Sequence, residues 1–234
     1  MSVHENSITF VCTANMCRSP IAEFVFNRES TGWLNECGLE LTVNSRGTHA
    51  EPGDTRCEVA SKTFEILDSG VSAQFQIDDP NVHGLVLTME QMHMRHLVQA
   101  FPKLRSRIFS LAQAVEITAK IYDGIVDGSL FTSPDPEVSV GFVAPPFPEG
   151  INDRWQWLVS ELDANRGLIS TTNSILTSGD YDIGDAHVPD GPTHELSLDL
   201  VAENAIEFSE NIRLILTYEA PSALASSVSQ VADA

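Results

Sequence analysis

The run CTANMCRSP, residues 12–20, places a thiol at Cys12, a second thiol at Cys17 and a guanidinium at Arg18. An arginine fork matches two oxygens of a phosphate or similar oxyanion at once. Positive surroundings also favour the thiolate, which is the nucleophilic form of cysteine. For the pair to act together, the loop must curl so that its backbone amides, the Arg18 guanidinium and the Cys12 sulfur face one cup. That is a cysteine set to attack the central atom of an oxyanion.

The flanking residues supply the setting. SITFVC (7–12) is a short, β-rich apolar run suited to a buried strand. From Ser19 the apolar positions Ile21, Ala22, Phe24, Val25 and Phe26 predict a helix, expected to stop near Thr31-Gly32. A loop between a parallel strand and the next helix lies at the carboxyl edge of the sheet, where open α/β folds place ligands. The helix start adds unpaired N–H groups and a positive dipole end, both suited to an anion.

Further along, LTVNS (41–45), GLVLTM (84–89) and RIFSL (107–111) read as strands, alternating with helices over 58–70, from 90 to Pro102, and over 112–124. The pattern predicts an α/β fold: a single doubly wound domain with a four-stranded parallel sheet flanked by helices and a phosphate-binding loop after the first strand. The domain is expected over 1–220. Residues 123–151 hold four glycines and five prolines, so an inserted loop and helix region is expected over about 121–167, with its helix at 153–167. Residues 194–218 carry a long helical pattern, and 221–234 reads as a disordered tail.

The chain has 234 residues, 42% hydrophobic and 20% charged, which is ordinary globular composition. Its 33 acidic against 13 basic residues give a formal net charge of -20. Such a surface repels nucleic acid and anionic membrane, since affinity for both rests on neutralising phosphate charge. No secretory signal or membrane span is legible. Four cysteines without an export signal read as free thiols of a cytoplasmic protein.

CTANMCRSP resembles the C-x5-R-S phosphate loop of the low-molecular-weight protein tyrosine phosphatases, and its place after the first strand is that family's arrangement. NSRGTHA (44–50) is similar to the family's Ser-Ala-Gly-Thr segment, and the likeness continues through GLVLTMEQMH (84–93) and RIFSL. The resemblance covers residues 7–113 and implies a phosphomonoesterase of the protein-tyrosine-phosphatase type. In it Cys12 attacks phosphorus and forms a phosphocysteine, while Arg18 and the amides of Thr13, Ala14, Asn15, Met16, Cys17 and Arg18 hold the equatorial oxygens. It further implies that Asn15 and Ser19 shape the loop, that Ser19 stabilises the thiolate, and that Ser45 braces Asn15. Cys17 resembles the family's second cysteine, which forms a reversible disulfide with Cys12. Simple packing is an equally good reading of Cys17. The implied partners are a phosphorylated protein or a small phosphomonoester, with phosphate or another oxyanion in the loop. No nucleic acid, membrane, cofactor or metal is expected.

Two loop residues depart from the family. Ala14 replaces the usual glycine, which requires a negative φ there, and Arg46 replaces an alanine. The family's general acid is an aspartate, normally in Asp-Pro, just ahead of the C-terminal helix. The literal dipeptide Asp135-Pro136 lies far upstream in the proline-rich region, whereas Asp185 in YDIGDAHV (181–188) lies just before the last helix. Position outranks the dipeptide, since Asp79-Pro80 shows how cheaply it occurs. Asp185 is therefore favoured over Asp135, with Asp182 and Asp190 behind. Ala-His-Val follows Asp185, and His49 stands on the second-strand loop, so the family's aromatic wall is not expected.

Cys37 and Cys57 read as structural. His93 and His96 stand at i, i+3 but lack a third ligand at a convincing spacing, and Trp155 and Trp157 read as packing. Two other functions fit less well. One is an arsenate reductase using a small-molecule thiol, although such relatives usually carry Gln, not Pro, after Arg-Ser. The other is a non-catalytic oxyanion-binding regulatory module, motivated by the ambiguous acid.

Overall fold

The computed structural model describes residues 6–51, 53–66, 70–78, 84–129, 147–167 and 181–219. Four strands, β1 (Ser7–Cys12), β2 (Thr42–Gly47), β3 (Leu85–Thr88) and β4 (Ile108–Ser110), form one parallel sheet in the order β2-β1-β3-β4. The chain thus begins in the middle of the sheet and winds outward to both sides, so the carboxyl end of β1 is the switch point. All six residues of β1 are buried, as a strand covered on both faces must be. Side chains alternate across the sheet: Ile8, Phe10, Leu85, Leu87 and Phe109 join the larger core, while Val11, Val86 and Ile108 join a smaller one.

The larger core is closed by residues of α1 (Arg18–Cys37), α4 (Leu111–Asp127), α5 (Ile151–Ala164) and α6 (His194–Leu216), with Phe26 set between Phe10 and Phe208 at 5.8 and 6.1 Å. α2 (Glu58–Thr63) is a short helix, and α3 (Gln91–Ala100) covers the smaller core with the 3-10 turn Pro102–Arg107. Among the described residues no helix is long and apolar enough to cross a membrane.

Helix ends depart from the glycine signals. α1 runs through Gly32 because Trp33 beyond it is buried and its indole N–H donates to Ser209 Oγ at 3.2 Å. The helix ends at Gly38, in the left-handed region with φ 72°. Similarly α4 passes Gly124, keeps Ile125 buried, and is capped at Gly128. A helical glycine costs roughly 1 kcal/mol against roughly 1.5–3 for burying a large apolar side chain, so packing wins. α2 is shorter than the expected 58–70: Phe64 and Ile66 turn into the core, and Glu65 takes φ 53°.

Residues 121–127, expected in the insertion, complete α4. α5 puts Trp155, Leu158, Val159 and Leu162 into the main core, and Trp157 packs on Phe147 at 5.1 Å. Its Arg154 donates to the carbonyls of Leu216 and Tyr218 at 2.7 and 2.9 Å, satisfying the end of α6. Trp155→Ala is therefore expected to cost about 3–5 kcal/mol in urea unfolding. A loss below about 1 kcal/mol would mean that α5 is an appendage. Residues 130–146, 168–180 and 221–234 fall outside the described residues, and the expectations for Asp135 and the tail fall with them.

Candidate active site

Residues 13–17 link β1 to α1 and are tethered by their carbonyls. The carbonyl of Cys12 accepts from Thr48 N–H at 2.9 Å, that of Thr13 from His49 N–H at 2.8 Å, and that of Met16 from Cys57 N–H at 2.8 Å. The Asn15 carbonyl accepts from Ser72 Oγ at 3.3 Å. Among the described residues no acceptor takes the amides of Ala14, Asn15, Met16, Cys17 or Arg18. Carbonyls bound outward and amides left over is the arrangement of an anion nest at a helix start.

The left-handed residue of the loop is Asn15, with φ 57°, while Ala14 avoids positive φ. Asparagine tolerates this region, so the missing glycine needs no compensation. The Asn15 side chain accepts from Ala73 N–H at 2.9 Å and donates to Ser19 Oγ at 3.1 Å. Ser19 Oγ lies 3.1 Å from Cys12 Sγ and 3.3 Å from the Arg46 carbonyl, which compete for its one proton. Ser45 turns to Glu23 Oε2 at 2.6 Å rather than to Asn15. Bracing from β2 comes instead through Gly47, where an added Cβ would meet Thr13 O at 2.6 Å.

Arg18 is 2% exposed and its fork is engaged three ways. Nη1 donates to Glu90 Oε2 at 2.7 Å and to the Ile183 carbonyl at 2.8 Å, and Nη2 donates to Asp185 Oδ2 at 2.7 Å. Asp185 is carried by the segment before α6, which docks through Ile183 N–H on the Met89 carbonyl and Ser197 Oγ on the Gly184 carbonyl, each at 2.8 Å. Asp185 Oδ1 accepts from the His187 amide at 2.9 Å and faces His187 Nδ1 at 3.2 Å. Burial pushes this carboxyl up, but the His187 amide, Arg18 and the His187 ring outweigh it and hold it below the ordinary range. Of the other aspartates, Asp182 accepts from Gln91 N–H at 2.6 Å at the start of α3, and Asp190 sits exposed in a turn with φ 60°.

Glu90 and His93 belong to the site and were not assigned to it from sequence. Glu90 follows β3 at the carboxyl edge of the sheet, and that position was the available signal. His93 Nε2 is 2.8 Å from Thr13 Oγ1 and 3.6 Å from Glu90 Oε2. Burial, then the Arg18 charge, pushes His93 down to about 4, so it is neutral at physiological pH. His96 stacks on His49 at 5.0 Å, so the two α3 histidines do not converge on one ion.

Cys12, Thr13, Ala14, Met16, Cys17, Arg18, Asp185, His187 and Val188 line a cavity of about 280 Å³. None of these residues carries a benzene or indole ring. Cys17 is buried with its thiol against that of Cys57; burial, then Cys57, pushes Cys17 up. The assembly can bind a tetrahedral oxyanion, present a sulfur to it and hold a carboxyl at the mouth.

A family model described as low molecular weight phosphotyrosine protein phosphatase matches residues 7–127. The chain is 34% identical over 122 residues to the low molecular weight protein-tyrosine-phosphatase PtpB of Staphylococcus haemolyticus, covering 50% of this chain and 79% of that protein. It is 32% identical over 111 residues to the protein-arginine-phosphatase of Bacillus subtilis, covering 46% of this chain and 71% of that one. A crystal structure of a YwlE mutant from Bacillus subtilis superposes with a TM-score of 0.38 at 25% identity, covering 70% of this chain and 99% of that chain.

Proposed function

The chain belongs to the low molecular weight phosphotyrosine protein phosphatase family, and from that premise we propose that it cleaves phosphate monoesters through a phosphocysteine on Cys12. The observation that carries the reading is the meeting of Cys12, Arg18 and Asp185 around one cavity beside a loop of unclaimed amides. The Arg18 guanidinium and the amides at the helix start take the phosphoryl oxygens. Cys12 Sγ attacks phosphorus as the ester P–O bond breaks, and the leaving oxygen takes the Asp185 proton. Water then attacks the phosphocysteine, Asp185 accepts its proton, and inorganic phosphate leaves with Cys12 restored.

Arg18 couples binding to the acid. An arriving phosphoryl dianion displaces Asp185 from Nη2, which removes the neighbouring cation from the carboxyl and sets a like charge beside it. Both changes raise its proton affinity. Glu90 keeps the other guanidinium nitrogen in place, and His93, neutral and bonded to Thr13, fixes the loop wall.

The substrate in this reading is a phosphorylated protein or a small phosphomonoester. A cavity lining without a benzene or indole ring among the described residues supports no preference for phosphotyrosine over other phosphoryl groups. Four free thiols support a reducing, cytoplasmic setting. In the same reading Cys17, which lines the same cavity as Cys12, closes a disulfide when Cys12 is oxidised.

Steady-state hydrolysis of a small aryl phosphate by the reduced protein, with Arg18→Lys beside it, tests the proposal. Lysine cannot present two parallel donors, so phosphate affinity should fall roughly ten- to hundredfold and the rate should fall with it. Wild type that binds phosphate but never turns over would overturn the hydrolase reading.

A further inference from the structure

Cys17 and Cys57 stand immediately before α1 and α2, and their sulfurs lie within 4.8 Å of each other. Above them His187, from the loop that carries Asp185, and His194, the first residue of α6, face each other with Nε2 atoms 3.1 Å apart. One donor atom from each of the four residues lies within 4.8 Å of all the others. The four come from three separate stretches of chain, so no single local turn explains their meeting.

We propose that Cys17, Cys57, His187 and His194 form a tetrahedral site for a Zn(II)-class ion that ties the Asp185 loop to the phosphate loop. Two thiolates and two imidazoles are the donor set that selects zinc over magnesium or calcium, which take oxygen ligands. Bonds of about 2.0–2.1 Å to nitrogen and 2.3 Å to sulfur set ligand separations of roughly 3.3–3.8 Å. The paired imidazole nitrogens already stand near that distance, and the remaining donors need only a small contraction. His187 has the support that zinc histidines use: its Nδ1 faces Asp185 Oδ1 at 3.2 Å, which leaves Nε2 for the ion. Two ligands are buried and His187 is exposed, so the ion has an entry path.

The ion displaces two thiol protons to water, and the imidazoles donate lone pairs, so no oxidant or reductant is involved. Two thiolates cancel its charge, which avoids a net cation beside Arg18. All four positions are protein ligands, which is the closed, structural form of such a site. Occupancy also engages the Cys17 sulfur, so the Cys12–Cys17 disulfide cannot form until the ion leaves. Zinc sites readable from sequence pair their ligands at short intervals. Here no cysteine pair does so, and the nearest ligands, His187 and His194, are seven positions apart.

The test uses reduced, chelator-treated full-length protein titrated with Co(II) as a spectroscopic probe and then with Zn(II). Wild type, Cys12→Ser, Cys57→Ala and His194→Ala are compared, and metal uptake does not depend on hydrolysis. Wild type and Cys12→Ser should each take one equivalent, with thiolate-to-cobalt charge transfer, tetrahedral visible bands and a raised melting temperature. Cys57→Ala and His194→Ala should keep the far-UV circular dichroism spectrum and the cooperative melting of metal-free wild type, which verifies their fold. Their metal affinity should fall by more than the roughly 10–100-fold that loss of an outer-shell partner costs. Absence of saturable one-equivalent binding in wild type would overturn the site. So would binding that vanishes in Cys12→Ser and survives in Cys57→Ala, because the ion would then sit on the nucleophile.

Discussion

Cys12→Ser is expected to reduce turnover of an aryl phosphate to background, a loss on the order of 10⁴-fold or more, while phosphate or vanadate still binds. The loss follows because a serine hydroxyl is not ionised at neutral pH and, among the described residues, the hydrogen-bond partner of the sulfur is the Ser19 hydroxyl and not a general base. Ser19, the nearest partner of the sulfur, is itself a hydroxyl, and its other bonds are to Asn15 and the Arg46 carbonyl. Binding survives because the cradle does not depend on the sulfur. The amides are aimed by carbonyls bound to Thr48, His49, Cys57 and Ser72, and Arg18 is aimed by Glu90 and the Ile183 carbonyl. Steady-state kinetics and a calorimetric phosphate titration on one preparation separate the two effects. Retained turnover in the serine variant would sink the phosphocysteine mechanism.

Asp185→Asn should lower turnover roughly a hundred- to ten-thousand-fold for an aryl phosphate with a poor leaving group, because that oxygen needs a proton as its bond breaks. A good leaving group departs as the anion and should lose much less. The contrast between the two substrates separates proton donation from positioning, since the one carbonyl oxygen of asparagine can still accept from the His187 amide while its NH2 cannot accept from Arg18. Equal losses on both substrates would assign Asp185 to orientation alone. Unchanged rates would move the acid elsewhere, with Asp135 the next variant to test.

The middle of the sheet was legible because its signals are local. SITFVC is a continuous apolar run, and such runs fit a strand buried on both faces. The nucleophile, the arginine and the helix start that serve the loop share one stretch of chain, so their spacing carries the geometry. Placing Asp185 near the site also relied on order along the chain, since the last helix follows it directly. Helix ends were read less well at Gly32 and Gly124, where Trp33 and Ile125 are drawn into the core against local propensity. Glu90 and His93 reach the loop across 72 and 80 positions of sequence, and Ser45 chose Glu23 over Asn15. No periodicity encodes such contacts; they exist only once β3 has been laid beside β1.

Arg18 lies at the bottom of a pit, neutralised by two carboxylates, in a chain with a formal net charge of -20. Within the Debye length of about 10 Å in 0.1 M salt, an approaching phosphate meets the repulsive field of the acidic surface before it reaches the cup. The attractive cup acts once the anion is already at the mouth. Encounter is therefore slowed for a bare dianion, and added salt speeds it by screening the repulsion. A phosphoryl group flanked by lysine or arginine arrives with its repulsion reversed. The charge of what surrounds the phosphate thus changes the association rate before any contact with the loop is made.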